Sequence, residues 1–323
     1  MPALALVPYL RPYFSNVCYA GEAGGVEERL AEAEGLPFFG TRTIKFDRRH
    51  LMRNTAIPRV LSAALREVQG WLSRIGCGVV FSKGGYCALP TVLAAHRLHV
   101  PIVCHESDLT IGLANRLTLL YTRHLITSFD VTPRGVYMGN PIRDAVFEGR
   151  AERVAVPNPH APTLLVMGGS MGAVALNRYA AALAERMPQW NVLNLYGKSP
   201  VDCASPNYVG VPFADHIADY FARADVVLCR AGANTLFELA ALGKPTVTVP
   251  LPKGASRGDQ VANAAWFAAK CGFDALDQAT VNVEVLADAV HTASSRTCQT
   301  PAFDSPNARI ARYIYDVYRG EMG

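Results

Sequence analysis

Short runs of consecutive hydrophobic residues alternate along the chain with longer stretches in which hydrophobic positions recur at helical spacing. The short runs predict strands at residues 16–20, 77–82, 101–105, 124–128, 135–139, 163–168, 190–197, 225–229 and 245–250. The stretches between them predict helices, among them 25–35, 57–76, 89–99 and 232–243. Strands that are hydrophobic at every position are typical of parallel sheets covered on both faces. The pattern therefore predicts a doubly wound α/β fold.

The pattern is interrupted between residues 143 and 162, where proline and charged residues replace the regular spacing and a new strand follows. We therefore predict two Rossmann-like domains, residues 1–143 and 144–304. Such folds bind ligands at the carboxyl ends of their strands, so the cleft between the domains is the expected binding place. The last segment, 305–323, has helical spacing that fits packing on either half, and we predict that it packs on the N-terminal domain.

Composition narrows the class of protein. The 323 residues carry a formal net charge of +4, and no dense basic run supports nucleic-acid binding. The eight cysteines are scattered without a CxxC pair, which favours free thiols in a reducing compartment over disulfides or zinc. No apolar run reaches the roughly 18 residues that a spanning helix needs. The N-terminal "MPALALVPYL" lacks the basic lead-in and cleavage site of a signal peptide.

A glycine-serine turn, "GGSMG" at residues 168–172, separates a predicted strand from a predicted helix. Glycines let the backbone approach a bound group, and the free N–H groups of a helix start attract anions. Ser170 adds a hydroxyl donor. Tight packing of the turn explains the same pattern equally well, so this motif alone does not decide between the two.

Two further polar groups follow in the same half. Glu238 lies near the start of a predicted helix, where its carboxylate either binds the cis-diol of a ribose or complements the helix dipole. Asp259, Gln260 and Asn263 lie together at the start of the next helix. They either contact sugar hydroxyls or form an ordinary helix start.

In the N-terminal half, polar residues follow two predicted strands. Residues 81–90 read "FSKGGYCALP", and "CHESD" gathers His105, Glu106, Ser107 and Asp108 after the next strand. A histidine beside a glutamate is either an acid/base pair or a buried hydrogen-bonded pair. Arg143, in "MGNPIR", is available for a base, a phosphate or a surface ion pair.

Six motifs in this order, "FSKGGY", "HESDLTIGLANRL", "GNPIR", "GGSMGA", "RAGANTLFELAALGKP" and "DQVANA", resemble those of the MurG family. These bacterial glycosyltransferases add N-acetylglucosamine from its UDP derivative to undecaprenyl-diphospho-muramoylpentapeptide. The resemblance covers nearly the whole chain and implies a GT-B fold, in which the C-terminal domain holds the donor. It also implies an inverting transfer to the C4 hydroxyl of the muramoyl sugar in peptidoglycan synthesis.

The resemblance implies roles for individual residues. Gly169, Ser170 and Gly172 would hold the diphosphate, Glu238 the ribose and Gln260 the sugar. The nucleotide site would be lined by Arg143, Ala214, Ala233, Asn234, Thr235 and Leu236. The acceptor would bind in the N-terminal domain near Tyr86, His105, Glu106 and Asp108.

Members of this family carry a strand, a glycine-rich loop and a histidine before the residues that match the start of this chain. We therefore expect a shortened N-terminus, with the histidine proposed as the family's base falling before Met1. Glu106 and His105 are then the candidate bases in this chain. No Asp-x-Asp motif occurs, so we expect neither a metal nor a cofactor.

The implied lipid acceptor requires contact with the cytoplasmic face of the cell membrane, so a peripheral location is predicted. Lys45, Arg48, Arg49 and Arg53 precede a stretch with Leu65 and Trp71, which fits attachment to anionic lipid. A solvated loop before a core-packed helix fits this spacing equally well. The alternative functions are a related lipid glycosyltransferase, a UDP-sugar epimerase, and a non-catalytic UDP-sugar binding protein.

Overall fold

The structure of the chain is a computed structural model that describes residues 3–43, 55–132, 134–169, 172–252, 258–296 and 305–322. Its strands are β1 (Tyr19–Glu22), β2 (Phe38–Thr41), β3 (Val80–Ser82), β4 (Ile102–Glu106), β5 (His124–Thr127), β6 (Val136–Tyr137), β7 (Thr163–Met167), β8 (Asn191–Leu195), β9 (Tyr208–Val211), β10 (Val226–Cys229), β11 (Thr246–Thr248) and β12 (Asp274–Ala275). Its helices are α1 (Val7–Leu10), α2 (Val26–Ala33), α3 (Ile57–Arg74), α4 (Leu89–Arg97), α5 (Leu113–Thr118), α6 (Val174–Arg186), α7 (Ile217–Arg223), α8 (Ala233–Ala241), α9 (Asp259–Cys271), α10 (Val283–Ser294) and α11 (Asn307–Arg319).

The chain forms two compact units. Unit 1 contains Met1–Pro141 together with Ser305–Gly323, and unit 2 contains Ile142–Asp304. The division falls two residues before the predicted boundary, so Arg143 belongs to unit 2 rather than to the N-terminal domain.

Unit 2 is built on one six-stranded parallel sheet in the order β9-β8-β7-β10-β11-β12. Every residue of β8 and β10 is buried, as expected for strands covered on both faces. Helices α6 and α10 pack on one face of the sheet through apolar side chains that include Leu176, Leu183, Leu286 and Val290. Removing these side chains from water is the main stabilising term for the unit.

Unit 1 contains a four-stranded parallel sheet, β3-β4-β5-β6, and a separate parallel pair, β1-β2. Alternate residues of β4 enter two different cores, because successive side chains of a strand point to opposite faces. Cys104 packs with α3 and α4, whereas Val103 packs with the N-terminal helical segment and α11. The described residues of unit 1 thus form two parallel sheets rather than one continuous sheet.

The fold class is α/β with parallel sheets, and each predicted strand overlaps an observed one. The sequence pattern missed β2, β9 and β12. Strands β9 and β12 are the edges of the unit 2 sheet, and most of their residues are only partly buried. Such strands lack the continuous hydrophobic run by which the others were predicted.

Helix α3 decides between the two interpretations of Leu65 and Trp71, attachment to lipid or packing in the core. Leu65 is buried in the unit 1 core beside Val68 and Leu72, and the ring of Trp71 stacks on Phe39 with centroids 4.8 Å apart. Both side chains therefore support the core rather than a lipid-facing surface. Lys45, Arg48, Arg49 and Arg53 lie outside the described residues. Across the described ranges, no helix combines the length and hydrophobicity that crossing a membrane requires.

Candidate active site

The strand order of unit 2 identifies where a ligand should bind. The chain proceeds outward from β7 in one direction through β8 and β9, and in the other through β10, β11 and β12. Doubly wound sheets bind ligands at the carboxyl ends of the strands where this order reverses, here between β7 and β10. The loop after β7 is residues 168–173 and the turn after β10 is residues 230–232. Both lead directly into helices, α6 and α8.

The glycines after β7 are required by the backbone. Gly169 and Gly172 have φ angles of +84° and +75°, which favour glycine. A methyl group at Gly172 would run into the carbonyl of Tyr196, whereas a methyl group at Gly169 would meet none of the described residues within 4 Å. Among the described residues of unit 2, the backbone at Gly169 therefore faces open space. Ser170 lies outside the described residues.

The starts of α6 and α8 both lack a side-chain cap. The residues before them, Ala173 and Gly232, accept no helix N–H with a side chain. The first N–H groups of a helix have no partner within the helix and carry the positive end of its dipole. Two such helix starts beside the switch point give unit 2 the electrostatics of an anion site.

Glu238 and Arg143 form a bidentate ion pair. Arg143 Nε donates to Glu238 Oε1 at 2.8 Å, and its Nη2 donates to Oε2 at 3.0 Å. The Glu238 side chain is 12% exposed and that of Arg143 38% exposed. Each carboxylate oxygen keeps a second lone pair, so the paired glutamate can still accept hydrogen bonds from two hydroxyls.

The other residues predicted for the nucleotide site differ in what they present. Asn234 is exposed and Thr235 is partly exposed at the start of α8, so their polar groups are accessible. Ala233 and Leu236 are buried, and the Leu236 N–H donates to the Gly232 carbonyl. Leu236 therefore contributes to the core of unit 2. Ala214, also buried, lies in the loop that follows β9.

Gln260 lies in the first turn of α9 and accepts the Leu251 N–H at 2.9 Å through Oε1. This contact orients the side-chain amide and leaves its NH₂ group as the donor. Asn263 is fully buried, and its Nδ2 donates to the Ala231 carbonyl at 3.3 Å. Asn263 therefore holds α9 against the turn after β10 and is not placed to contact a sugar.

Two polar residues of unit 2 were missed as supports of the site. Asn177 Nδ2 donates to the carbonyls of Tyr196 and Ser199, at 3.0 and 2.7 Å, and so ties α6 to the loop after β8. Arg230 Nη1 donates to the Val249 carbonyl at 2.8 Å and joins the ends of β10 and β11. A buried asparagine on an otherwise apolar helix face was the available signal for Asn177.

In unit 1, Glu106 ends β4 and organises the loop that follows. Its Oε1 accepts the Asp108 N–H at 3.1 Å, and its Oε2 accepts the Gly112 N–H at 2.8 Å and Asn115 Nδ2 at 2.9 Å. The side chain is buried. These contacts fix the start of α5 relative to the end of β4.

His105, immediately before Glu106, is completely buried. Its Nε2 lies 3.0 Å from the Gly139 carbonyl oxygen, and its Nδ1 lies 2.8 Å from Lys83 Nζ. Burial and the neighbouring Lys83 hold the pKa of His105 well below its usual range. The imidazole is therefore uncharged at neutral pH, with both nitrogens in hydrogen bonds.

Tyr86 follows β3 and is 37% exposed. Its hydroxyl donates to Glu22 Oε2 at 2.7 Å, and this bond is the main cause that raises the pKa of Tyr86 to about 12. Asp108 is partly exposed in the loop after β4. Tyr86, His105, Glu106 and Asp108 thus all lie at the carboxyl edge of the unit 1 strands.

Sequence reasoning did not single out three further members of this cluster, Lys83, Ser128 and Asn140. The Ser128 hydroxyl and Lys83 Nζ both donate to Asn140 Oδ1, each at 3.2 Å. All three follow buried strands or lie in the "GNPIR" motif. A lysine directly after a buried strand was the signal available in the sequence.

A cavity of about 560 Å³ lies at the opposite edge of the unit 1 sheet. It is lined by residues before β4 and β5, including His99 and Arg123, and by the end of α11. Because it lies at the amino ends of these strands, it is not part of the candidate site.

The sequence matches two parts of one family. Residues 1–125 match the glycosyltransferase family 28 N-terminal domain, and residues 163–312 match the glycosyltransferase family 28 C-terminal domain.

Curated relatives agree with this match. The chain is 31% identical over 299 residues to UDP-N-acetylglucosamine–N-acetylmuramyl-(pentapeptide) pyrophosphoryl-undecaprenol N-acetylglucosamine transferase 2 of Bacillus cereus, covering 88% of this chain and 85% of the relative. It is 36% identical over 277 residues to the transferase of the same name from Lachnospira eligens, covering 81% and 78%.

A solved structure supports the fold. The crystal structure of Acinetobacter baumannii MurG aligns with a TM-score of 0.71 at 24% identity, covering 99% of this chain and 95% of that one. The fold is thus the two-domain GT-B type. Given the matched domains and the identity to curated relatives, the chain belongs to the MurG family of glycosyltransferases.

Proposed function

We propose that this protein transfers N-acetylglucosamine from UDP-N-acetylglucosamine to the C4 hydroxyl of undecaprenyl-diphospho-N-acetylmuramoyl-pentapeptide, with inversion at the anomeric carbon. The names of the curated relatives state the transfer of N-acetylglucosamine between UDP-N-acetylglucosamine and N-acetylmuramyl-(pentapeptide) pyrophosphoryl-undecaprenol. The observation that carries the proposal is the polar arrangement at the switch point of unit 2, which suits a nucleoside diphosphate.

The donor is bound by unit 2. Its diphosphate lies at the uncapped starts of α6 and α8, with the open backbone at Gly169 allowing close approach. The two free lone pairs of the Glu238 carboxylate accept the 2′- and 3′-hydroxyls of the ribose. The Gln260 amide donates to the sugar. Ser170, between Gly169 and Gly172 in sequence, adds a hydroxyl donor to the diphosphate.

This arrangement also assists departure of the nucleotide. Negative charge develops on the diphosphate as its bond to the anomeric carbon breaks. Fixed N–H dipoles aimed at that charge lower the barrier without reorganising during the reaction. The helix starts therefore serve both to bind the donor and to stabilise the leaving group.

The acceptor is bound by unit 1, at the carboxyl ends of β3 and β4. Tyr86 and Asp108 are accessible there, whereas Glu106 holds the loop and the start of α5 in place. The contacts of Glu106 support a positioning role, since its carboxylate already accepts three N–H groups.

A lipid acceptor requires a peripheral position on the cytoplasmic face of the membrane. Leu113, Leu117 and Leu120 support this location, because they are 50%, 38% and 73% exposed. Their spacing places them along one side of α5 and the turn after it. Since Glu106 fixes α5 at the candidate acceptor site, this side is where the prenyl chain and the lipid surface would meet the protein.

The decisive experiment is a transfer assay with radiolabelled UDP-N-acetylglucosamine and a soluble lipid I analogue with a shortened prenyl chain. We expect a disaccharide product with a β linkage and release of UDP. Binding of UDP-N-acetylglucosamine by calorimetry without any product would instead support a non-catalytic UDP-sugar binding protein. A product formed only with a different lipid acceptor would support a related lipid glycosyltransferase.

A further inference from the structure

Lys198 lies in the turn that follows β8, beside the loop that follows β7. The two segments are in close contact, because a methyl group built on Gly172 would run into the Tyr196 carbonyl and would lie 3.2 Å from Gly197 Cα. Lys198 is the next residue along the chain, and it is exposed. A cationic side chain is therefore carried next to the loop that leads into the start of α6.

A buried asparagine holds this turn in place. Asn177 of α6 is fully buried, and its Nδ2 donates to the carbonyls of Tyr196 and Ser199, at 3.0 and 2.7 Å. Lys198 lies between these two residues in the chain. Gly197, just before it, has a φ of +66°, which favours glycine. The turn that carries Lys198 is thus fixed to the helix whose start is the proposed diphosphate site.

The ammonium of Lys198 is available to a ligand. Within the described part of unit 2, it takes part in no hydrogen bond and no ion pair. Two arginines of the unit are already engaged, Arg143 with the Glu238 carboxylate and Arg230 with the Val249 carbonyl. Lys198 therefore brings a full positive charge to the carboxyl edge of the sheet that its own structure does not neutralise.

The proposed donor site can use such a charge. Each of the two helix starts contributes only roughly half an elementary positive charge. The diphosphate of a bound UDP-sugar is negatively charged on each phosphate, and a further negative charge develops as the nucleotide leaves. A cation beside α6 complements charge that the helix starts balance only in part.

We propose that Lys198 binds the diphosphate of the donor and stabilises the departing UDP. This inference rests on the proposed function, since it adds a contact to the same donor site. The ammonium has three N–H donors on a flexible four-carbon stem, so it can follow the phosphate oxygens from a neighbouring loop. The fixed turn holds the base of that stem.

The charge acts while the donor bond breaks. The acceptor hydroxyl oxygen forms a bond to the anomeric carbon, and the bond from that carbon to the diphosphate oxygen breaks. The electron pair of the broken bond leaves with UDP, and the hydroxyl proton is released on the acceptor side. Lys198 keeps all of its protons, and its hydrogen bonds to the diphosphate strengthen as the negative charge grows.

The first test compares UDP with uridine, which lacks the diphosphate, by calorimetry on the full chain. K198M removes the ammonium, and K198R keeps a positive charge. We expect the Kd of K198M for UDP to rise at least about tenfold, the loss of one charged hydrogen bond. Its Kd for uridine should stay within about twofold of the parent, and K198R should stay within about threefold for both ligands.

Arg186 supplies a matched control. It is exposed at the opposite end of α6, so R186Q removes the same charge from the same helix away from the proposed site. R186Q should bind both ligands like the parent. Two results with K198M would overturn the inference: a Kd for UDP within twofold of the parent, or equal increases for UDP and uridine, which indicate a disturbed fold.

Turnover tests the role in departure of the nucleotide. With saturating UDP-N-acetylglucosamine and lipid I analogue, K198M should lower kcat by about 10- to 100-fold, while K198R keeps at least about a third of it. An unchanged kcat in K198M would contradict stabilisation of the leaving group. If the parent binds UDP but forms no product, the proposed function is wrong, and the comparison of UDP with uridine still decides whether Lys198 contacts the diphosphate.

Discussion

The guanidinium of Arg143 holds the Glu238 carboxylate in two parallel hydrogen bonds, one to each oxygen. These residues are far apart in the sequence but belong to the same unit. The pair fixes the carboxylate in one orientation on a rigid helix, so a diol that binds Glu238 need not order the side chain first. This relationship gives the first prediction.

Replacing the carboxylate by an amide should weaken nucleotide binding. E238Q loses charged acceptors, and each hydrogen bond to a charged group is worth about 1.5–3 kcal/mol. We expect the Kd for UDP, measured by calorimetry, to rise roughly 10- to 100-fold. E185Q, an exposed substitution on α6, is the control and should bind like the parent. Unchanged UDP affinity in E238Q would remove Glu238 from the ribose site.

Replacing Gly172, after β7, should destabilise the protein. In G172A the alanine must adopt a φ of +75°, and its methyl group clashes with the Tyr196 carbonyl. We expect the free energy of unfolding in urea to fall by more than about 2 kcal/mol. Gly70 offers the opposite case, because it lies within α3 and a methyl group there would meet none of the described residues within 4 Å. G70A should raise the free energy of unfolding by about 0.5–1 kcal/mol.

The buried imidazole of His105 predicts acid lability. Its pKa is lowered well below 6.5 in the folded protein, so below that pH the unfolded chain binds a proton that the folded chain does not. The free energy of unfolding must therefore fall as the pH drops from about 6.5 towards 5. H105N, which has no imidazole to titrate, should lose less stability over this interval. Parallel curves for the two proteins in urea titrations at each pH would contradict the prediction.

Removing the Glu106 carboxylate should reduce the order of the loop after β4 and of α5. E106A leaves the Gly112 N–H and the Asn115 amide without their acceptor. We expect the free energy of unfolding to fall by about 1–3 kcal/mol, with faster hydrogen exchange concentrated in residues 107–118. E67Q, on the exposed side of α3, is the control and should change neither quantity. Exchange that increases equally throughout unit 1 would argue against a local role for Glu106.

Replacing two of the exposed leucines by glutamate should weaken membrane binding. We expect the L117E/L120E variant to bind phosphatidylglycerol-rich vesicles at least about tenfold more weakly in a sedimentation assay, because it adds charge to the exposed side of α5 and the turn after it. V285E changes a similarly exposed valine, 43% exposed on α10 in unit 2, and should bind vesicles like the parent. Equal losses in both variants would indicate a general effect of charge.

The parallel sheets could be predicted because their central strands are hydrophobic at every position. The edge strand β9 could not, since its residues are mostly half exposed and include Gly210. Glu238 and Arg143 were both singled out, but their pairing depends on the tertiary fold. The spacing of Leu65 and Trp71 fits either a lipid-facing or a core position. In the structure both pack in the core formed by β2, α3 and α4. Lys83 was overlooked because its partners, His105 and Asn140, are distant in sequence.

The two units differ in when their hydrophobic cores can form during synthesis of the chain. The core of unit 2 comes from one continuous stretch, so it can form while the rest of the chain is still being made. In unit 1, Leu6 and Ile126 pack against Ile310 and Ile314 of α11. One face of its main sheet therefore stays uncovered until α11 has left the ribosome. The unit whose synthesis begins first is thus the one whose folding is completed last.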